Sequence, residues 1–410
     1  MKGWQEKQLR YLFAVSSGAT PASGNPDFWD GDINWATPED VSRAGRNLTK
    51  TRRRITEQGF ENCSAQLVSA GSIVLTKRAP IGQLTIANVE TCCNQGCFLL
   101  EPTEEADTDF FYFWLSVQTE YLQALGRGST FMELSTDEIK RMRAPAISIT
   151  HQKVISSFLL RETADIDALI GAKQQLLDLQ AEKRHAIVAE AVMRGINQAA
   201  QLRATGIDWL GAIPAHWELE RSRWLFNERD ERSDTGEEEM LTVSHLTGVT
   251  PRSEKDVNMF EAETTVGYKL CFAGDLAINT LWAWMGAMGT ARVDGIVSPA
   301  YNVYTPGPRL LPDYVDALVR IPVFAQEVTR YSKGVWSSRL RLYPEGFFET
   351  YWPVPPLDEQ REIVRHIATE TQKIDRLRVA TEHSIALLKE RRAALIAAAV
   401  TGQIDIPEAA

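Results

Sequence analysis

This chain of 410 residues contains no apolar run near the roughly 20 positions that a membrane-spanning helix needs. Met1-Lys2-Gly3-Trp4 does not open a signal peptide either, so no membrane partner is expected. Cysteine is scarce. The five present are odd in number, with Cys92, Cys93 and Cys97 bunched and Cys63 and Cys271 apart. That is no secreted disulfide framework, and it points to a reducing, cytoplasmic setting. Two adjacent cysteines and a third after a three-residue gap lack zinc-ribbon spacing, and no histidine lies near them. They read as buried thiols. Positive charge is also short: 44 Lys and Arg stand against 54 Asp and Glu, a net −10. This disfavours strong stand-alone binding to nucleic acid and favours a partner that adds positive surface.

Catalytic and cofactor motifs are missing too. No Gly-x4-Gly-Lys-Ser/Thr run exists to cradle the phosphates of ATP, and no glycine-rich cofactor loop precedes a helix. Asn25-Pro26-Asp27-Phe28 lacks the second proline of the Asn-Pro-Pro-aromatic motif of amino-methyltransferases. The six histidines are scattered, and His151, His185, His366 and His383 read as surface or packing residues of helices. No catalysis by this chain, no cofactor and no metal are expected.

What the chain does have is a repeat. Pro145 to Ile196 returns as Pro353 to Ile404, with Gln152 and Gln360 208 positions apart. Ile155/Ile363, Glu162/Glu370, Ile166/Ile374, Asp167/Asp375, Leu169/Leu377, Leu179/Leu387 and Arg184/Arg392 match in register without a gap. In the second copy Pro353-Val354-Pro355-Pro356 is extended, Asp358 stands as N-cap, and Ile363, Ile367, Ile374, Leu377, Ile385, Leu388, Leu395 and Ala399 recur at helical spacing. The first copy repeats this with Thr150 as cap and Ile155, Leu159, Ile166, Leu169, Leu176, Ile187 and Ala191 as its stripe. The helices should stop near Gly195 and near Thr401-Gly402. A helix of about 40 residues is roughly 60 Å long. So long an apolar stripe needs a partner, which the other copy supplies.

The blocks before each helix also open alike. Trp4 with Leu12-Phe13 matches Trp217 with Leu225-Phe226, and Ala70-Gly71-Ser72-Ile73-Val74-Leu75 matches Ala273-Gly274-Asp275-Leu276-Ala277-Ile278. The fold class expected is α+β: two mixed α/β domains separated by two long antiparallel helices, a coiled-coil-like spacer, with pseudo-two-fold symmetry. Its segments are 1–143, a first globule; 144–196, helical; 197–205, linker; 206–351, a second globule; and 352–410, helical with a tail. Two-fold proteins commonly meet two-fold targets, of which duplex DNA is the commonest.

Four stretches carry a resemblance to a known family. They are Gly18-Ala19-Thr20-Pro21 through Phe28-Trp29-Asp30-Gly31-Asp32-Ile33-Asn34-Trp35 and Thr37-Pro38-Glu39-Asp40; Trp209 to Trp217; Pro355-Pro356-Leu357-Asp358-Glu359-Gln360; and Leu395 to Gly402. Over essentially its whole length the chain resembles the specificity subunit of type I restriction–modification systems. The first helical copy departs from the pattern with Pro145-Ala146-Ile147 in place of a double proline. The second block runs Leu241-Thr242-Val243-Ser244 where a Gly-Thr-Pro opening is expected.

The resemblance implies a non-catalytic, intracellular reader of double-stranded DNA, with each globule a target-recognition domain for one half of a split, asymmetric site. Two methyltransferase subunits carrying S-adenosylmethionine would dock on the helices, and restriction subunits using ATP and Mg²⁺ could join. For DNA contact the candidates are Lys50, Arg52, Arg53 and Arg54; Lys77 and Arg78 before Ala79-Pro80-Ile81-Gly82; and Arg127, Ser129 and Thr130 in a Gly-flanked loop. In the second block they are Arg252 and Lys255, and Lys333, Trp336, Ser337 and Arg339. Trp282 and Trp284 are exposed-turn candidates, and Asn94-Gln95 suits adenine by amide geometry, although a buried turn explains it as well. The rival reading is an adaptor that keeps the helices for a protein partner and has lost DNA recognition. The acidic balance supports it.

Overall fold

A computed structural model describes residues 4–126, 133–254, 264–334 and 340–406. It is a mixed α/β structure with two long helices, Ile149–Arg194 and Leu357–Val400. The chain forms two compact units, the first built from two separate stretches, residues 1–173 with 383–410, and the second from residues 174–382.

In the first unit a five-stranded sheet runs Phe13–Ser17, Cys97–Pro102, Ile73–Thr76, Leu84–Ala87, Asn47–Leu48, antiparallel except for the last pair. Ile73–Thr76 is buried at every position, as a run of apolar and β-branched residues behind a glycine of positive φ (Gly71) suggests. A second sheet places Trp29–Ala36 between Arg54–Ile55, antiparallel, and Thr91–Cys93, parallel. Short helices are capped by the residues their sequences offer. Thr37 and Asp40 form a capping box on Pro38–Ala44, and Asp107 caps Thr108–Ser116. Phe13, Phe98, Phe110, Phe111 and Trp114 fill the core together with Ile155, Leu159, Ile396 and Ala399 of the long helices.

The second unit repeats this plan. Its four-stranded sheet runs Phe226–Arg229, Tyr301–Pro306, Leu276–Asn279, Met288–Thr290, the same order as the first four strands of the first unit's larger sheet. In each unit a short strand before the sheet pairs with the strand leading into a long helix: Glu6–Gln8 with Arg143–Pro145, and Glu218–Arg221 with Tyr351–Val354. Trp4 meets Gly402 and His151, whereas Trp217 meets Gly195 and Glu359. Both glycines have positive φ and end a long helix against the tryptophan ring, where a Cβ would come within about 3 Å of the indole.

The matched glutamines explain why the repeat keeps its register. Gln152 Nε2 donates to the carbonyls of Glu105 and Ile147, both at 2.9 Å, while its Oε1 accepts from Asp107 N at 2.7 Å. Gln360 Nε2 donates to Arg309 O and Pro355 O, and its Oε1 accepts from Leu311 N, all at 2.8 Å. Both side chains are fully buried, so each ties its helix start to a loop of the same unit with no water to compete. Farther along, Asp167 pairs with Arg392 at 2.8 Å in the first unit, and Asp375 with Arg184 at 3.8 Å in the second. The same two repeat positions supply acid and base in both, with the two helices antiparallel within each unit.

Two expectations need correction. The helices begin one residue earlier than the caps proposed for them. Ser148 and Pro356 hold the cap positions, their carbonyls accepting from Gln152 N and Gln360 N at 3.0 Å. Thr150 and Asp358 lie within the first turn, where Asp358 pairs with Arg361. The apolar stripe is also not one buried seam. Ile155, Ile166, Ile363, Ile374 and Ile385 are buried, but Leu169, Leu176 and Leu377 face solvent because a straight helix cannot turn so wide a set of positions toward one neighbour.

Candidate nucleic-acid interface

In the first unit Arg54–Ile55 pairs beside Trp29–Ala36, with Arg54 opposite Asn34, which brings the basic run onto the rim of the smaller sheet. Trp29 and Trp35 lie nearly buried beneath it, edge to face at 5.1 Å. The Trp35 indole N–H donates to Ala19 O at 2.9 Å, fixing the ring against the Gly18-Ala19-Thr20 turn. That turn meets the one at Asn94-Gln95-Gly96: Ala19 N donates to Cys93 O at 2.9 Å, and Thr20 Oγ1 to Gln95 Oε1. Loops 18–20, 50–54 and 94–96 thus adjoin one small sheet. Asn94 accepts Gly96 N at 2.9 Å through its side-chain oxygen, so it shapes the turn, while Gln95 is exposed.

The basic residues there are not equivalent. Arg52 is held by Asp40, which accepts its backbone N at 3.1 Å, and by Glu39 at 2.5 Å. Arg53 lies over the Trp29 ring, its guanidinium carbon 3.6 Å from the centroid. Lys50 and Arg54 are exposed and have no ion-pair partner among the described residues. Lys77 is turned inward: its ammonium donates to Ser17 Oγ at 3.0 Å, pairs with Glu133 at 3.0 Å and rests 5.2 Å from the Phe98 ring centre. Arg78 is exposed and shares Glu133 at 3.0 Å. Partial burial works against the Glu133 carboxylate, but hydrogen bonds from Lys77 and Arg78 outweigh it and hold the group below the usual glutamate range. Arg127, Ser129 and Thr130 lie outside the described residues, next to Glu133 in sequence.

In the second unit Arg252 is half-buried at the end of the Leu241–Ser244/Gly248–Pro251 hairpin. Lys333 is exposed and exchanges backbone hydrogen bonds with Arg341 at 2.9 Å, while Leu342 N donates to Thr280 O at 3.1 Å. Arg341 and Leu342 therefore lie beside the turn that carries Trp282 and Trp284, whose rings stack 6.3 Å apart and 16° from parallel. Trp282 is 48% exposed. Lys255, Trp336, Ser337 and Arg339 lie outside the described residues. The structure thus keeps Lys50, Arg52, Arg53 and Arg54 along one rim, turns Lys77 inward, and, of the second block's candidates that it describes, places Arg252 and Lys333 on different loops. What sequence reasoning missed is the tryptophan platform under Arg53. Its signal, two tryptophans six residues apart in one strand, was on view. Among the described residues no three His, Cys, Asp or Glu side chains converge to hold a metal ion.

Comparison with known proteins adds a family. The model of the type I restriction modification DNA specificity domain matches residues 1–178. The chain is 33% identical over 161 residues to the type I restriction enzyme MjaIX specificity subunit of Methanocaldococcus jannaschii, a match covering 38% of this chain and 37% of that relative. It is 26% identical over 165 residues to the HindI specificity subunit of Haemophilus influenzae, covering 36% of that protein. The aligned stretch thus spans little more than a third of each curated relative. Two solved structures share the fold along nearly the full chain. One comes from work on complex assembly and conformational transition of the type I R-M system (TM-score 0.73, 15% identity, 98% of this chain and 99% of that one). The other is the HsdS subunit of Thermoanaerobacter tengcongensis (TM-score 0.57, 15% identity, 98% of each chain).

Proposed function

Because residues 1–178 match the type I restriction modification DNA specificity domain, we propose that this chain belongs to the type I restriction–modification specificity family and serves as the DNA-reading subunit of such a complex. Residues 1–143 and 206–351 act as two target-recognition domains, each for one half of a bipartite, asymmetric site. Residues 144–196 and 352–410 are the helical regions that set the gap and dock two methyltransferase subunits, with 197–205 as linker. The chain performs no chemistry itself. S-adenosylmethionine resides on the methyltransferase, and ATP and Mg²⁺ on any restriction subunit that joins.

The observation that carries this reading is the duplication of contacts. Each unit has the same sheet order, the same buried glutamine clamp and the same Asp–Arg pair. Each also exposes the same two leucines of the repeat: Leu169 and Leu387 in the first, Leu377 and Leu179 in the second. A partner that covers one pair finds a second pair of identical chemistry, which favours two copies of one subunit. The loops of the two blocks, by contrast, differ: an arginine over a tryptophan in one, stacked tryptophans in the other. Unequal half-sites follow.

The test is single-molecule sequencing of methylated DNA from cells making this chain with its methyltransferase. A split motif of two different half-sites, separated by roughly half a turn of unread bases, is expected, since readers one turn apart meet the same face of the duplex. A stable complex that methylates nothing would replace this reading with the adaptor.

A further inference from the structure

The basic residues of the run 50–54 are held in different ways. Arg52 spends its guanidinium on Asp40 and Glu39. Lys50 and Arg54 are exposed cations with no ion-pair partner among the described residues to fix their direction. Arg53 is different. Its guanidinium is stacked 3.6 Å above Trp29, and no acceptor among the described residues takes its N–H groups. The platform cannot give way, because Trp29 packs edge-on against Trp35 and donates its own indole N–H to Ala22 O at 3.4 Å. The backbone beneath is pinned as well: Thr51 Oγ1 donates to Arg53 O at 2.6 Å and accepts from Trp35 N at 3.2 Å.

Stacking occupies the face of a guanidinium and leaves its edge of planar donors free. An arginine held this way has already lost the rotamer freedom that a flexible one gives up on binding. Such a fork can meet two acceptors at fixed spacing, either two oxygens of a phosphate or O6 and N7 of guanine in the major groove, and only the second reads sequence. Resting on the DNA-reading function proposed above, we propose that Arg53 reads a guanine in the half-site of the first block. Lys50 and Arg54 hold neighbouring phosphates, and Arg52 positions the loop.

The experiment compares the full chain and its Arg53→Ala, Arg53→Lys and Lys50→Ala variants, each assembled with the methyltransferase. It reads the methylated motif by sequencing and the affinity for target duplexes as a function of salt. Both Arg53 variants should make one guanine position of one half-site degenerate, with discrimination there falling about 10- to 100-fold and the other half-site unchanged. Lys50→Ala should keep the motif, weaken all sequences alike and lower the salt slope by about 1. Should Arg53→Ala fold poorly, Arg53→Lys carries the test, because it keeps a cation over Trp29 and loses only the planar fork. An intact motif in Arg53→Lys, or a uniform loss of affinity in Arg53→Ala, would overturn the assignment. Absence of any sequence-specific methylation by the unaltered chain is a separate failure, that of the DNA-reading function itself, and the assignment falls with it.

Discussion

At the scale of single residues, burial decides chemistry. Cys92, Cys93, Cys97 and Cys271 are buried, as the bunched thiols were expected to be, whereas Cys63 is half-exposed. Desolvation pushes the Cys92, Cys97 and Cys271 thiols up to about 12, so they stay protonated and unreactive at neutral pH. A thiol reagent should label Cys63 alone in the native chain and all five cysteines after unfolding; fast native labelling of a second cysteine would contradict the packing. The sign of the pH effect follows. Above about pH 8.5 an unfolded thiol ionises while these folded ones keep their protons, so stability declines as pH rises through that range. The glutamine clamps make a second residue-scale prediction. Removing Gln152 or Gln360 as Ala leaves buried backbone groups without partners and should cost about 1–3 kcal/mol each, read as a lower denaturation midpoint. Because the two lie in different units, their effects should add in the double variant. The matching of these glutamines was visible in the sequence, but their role was not, since two of the three backbone groups that each one holds lie 45 to 51 residues away.

At the scale of elements, the two long helices were the most legible feature. A stripe sustained over some 40 residues between a helix-opening motif and a glycine admits no other element, and the helices end where Gly195 and Gly402 stand. Less legible was which apolar residues face inward. Periodicity marks positions on a helix face but not the direction from which neighbours approach, and so the exposed Leu169 and Leu377 looked like Ile166 and Ile374. That error becomes useful. If the leucines serve a partner, Leu169→Glu with Leu377→Glu should leave the melting temperature of the isolated chain within about 2 °C, surface changes costing little. The same pair should reduce methyltransferase binding at least tenfold, measured by co-purification or calorimetry. A large drop in stability with binding intact would return them to a structural role.

At the scale of the whole molecule, a repeated design makes a metric prediction. Adding one heptad to each long helix in register lengthens it by about 10 Å at ~1.5 Å per residue. If the helices set the gap, the unread segment of the target should widen by about three base pairs, at 3.4 Å each, with both half-sites unchanged. An unaltered gap would remove the helices from that role. The Arg53 and Lys50 variants probe the proposed reading surface and leave this spacing alone, so the two ideas can fail independently.

Sequence by itself determined the order of parts: globule, helix, globule, helix, with the copies in register and the blocks opening on Trp4 and Trp217. Those features are local or periodic, written in residues close together, and a repeat preserves them at a constant offset. It also located the first basic cluster, because arginines adjacent in sequence remain adjacent in space. Only the tertiary structure decided how those arginines differ. Arg52 meets Asp40 from a helix, Arg53 meets Trp29 from another strand, and Lys77 turns in toward Ser17 and Glu133. Each of these partners comes from a distant stretch of the chain, and a cation's role is set by what surrounds it rather than by its neighbours in sequence. The first compact unit draws on two separate stretches of chain for the same reason. Half of each long helix packs into each core, because a stripe of apolar side chains is buried by whatever surface reaches it.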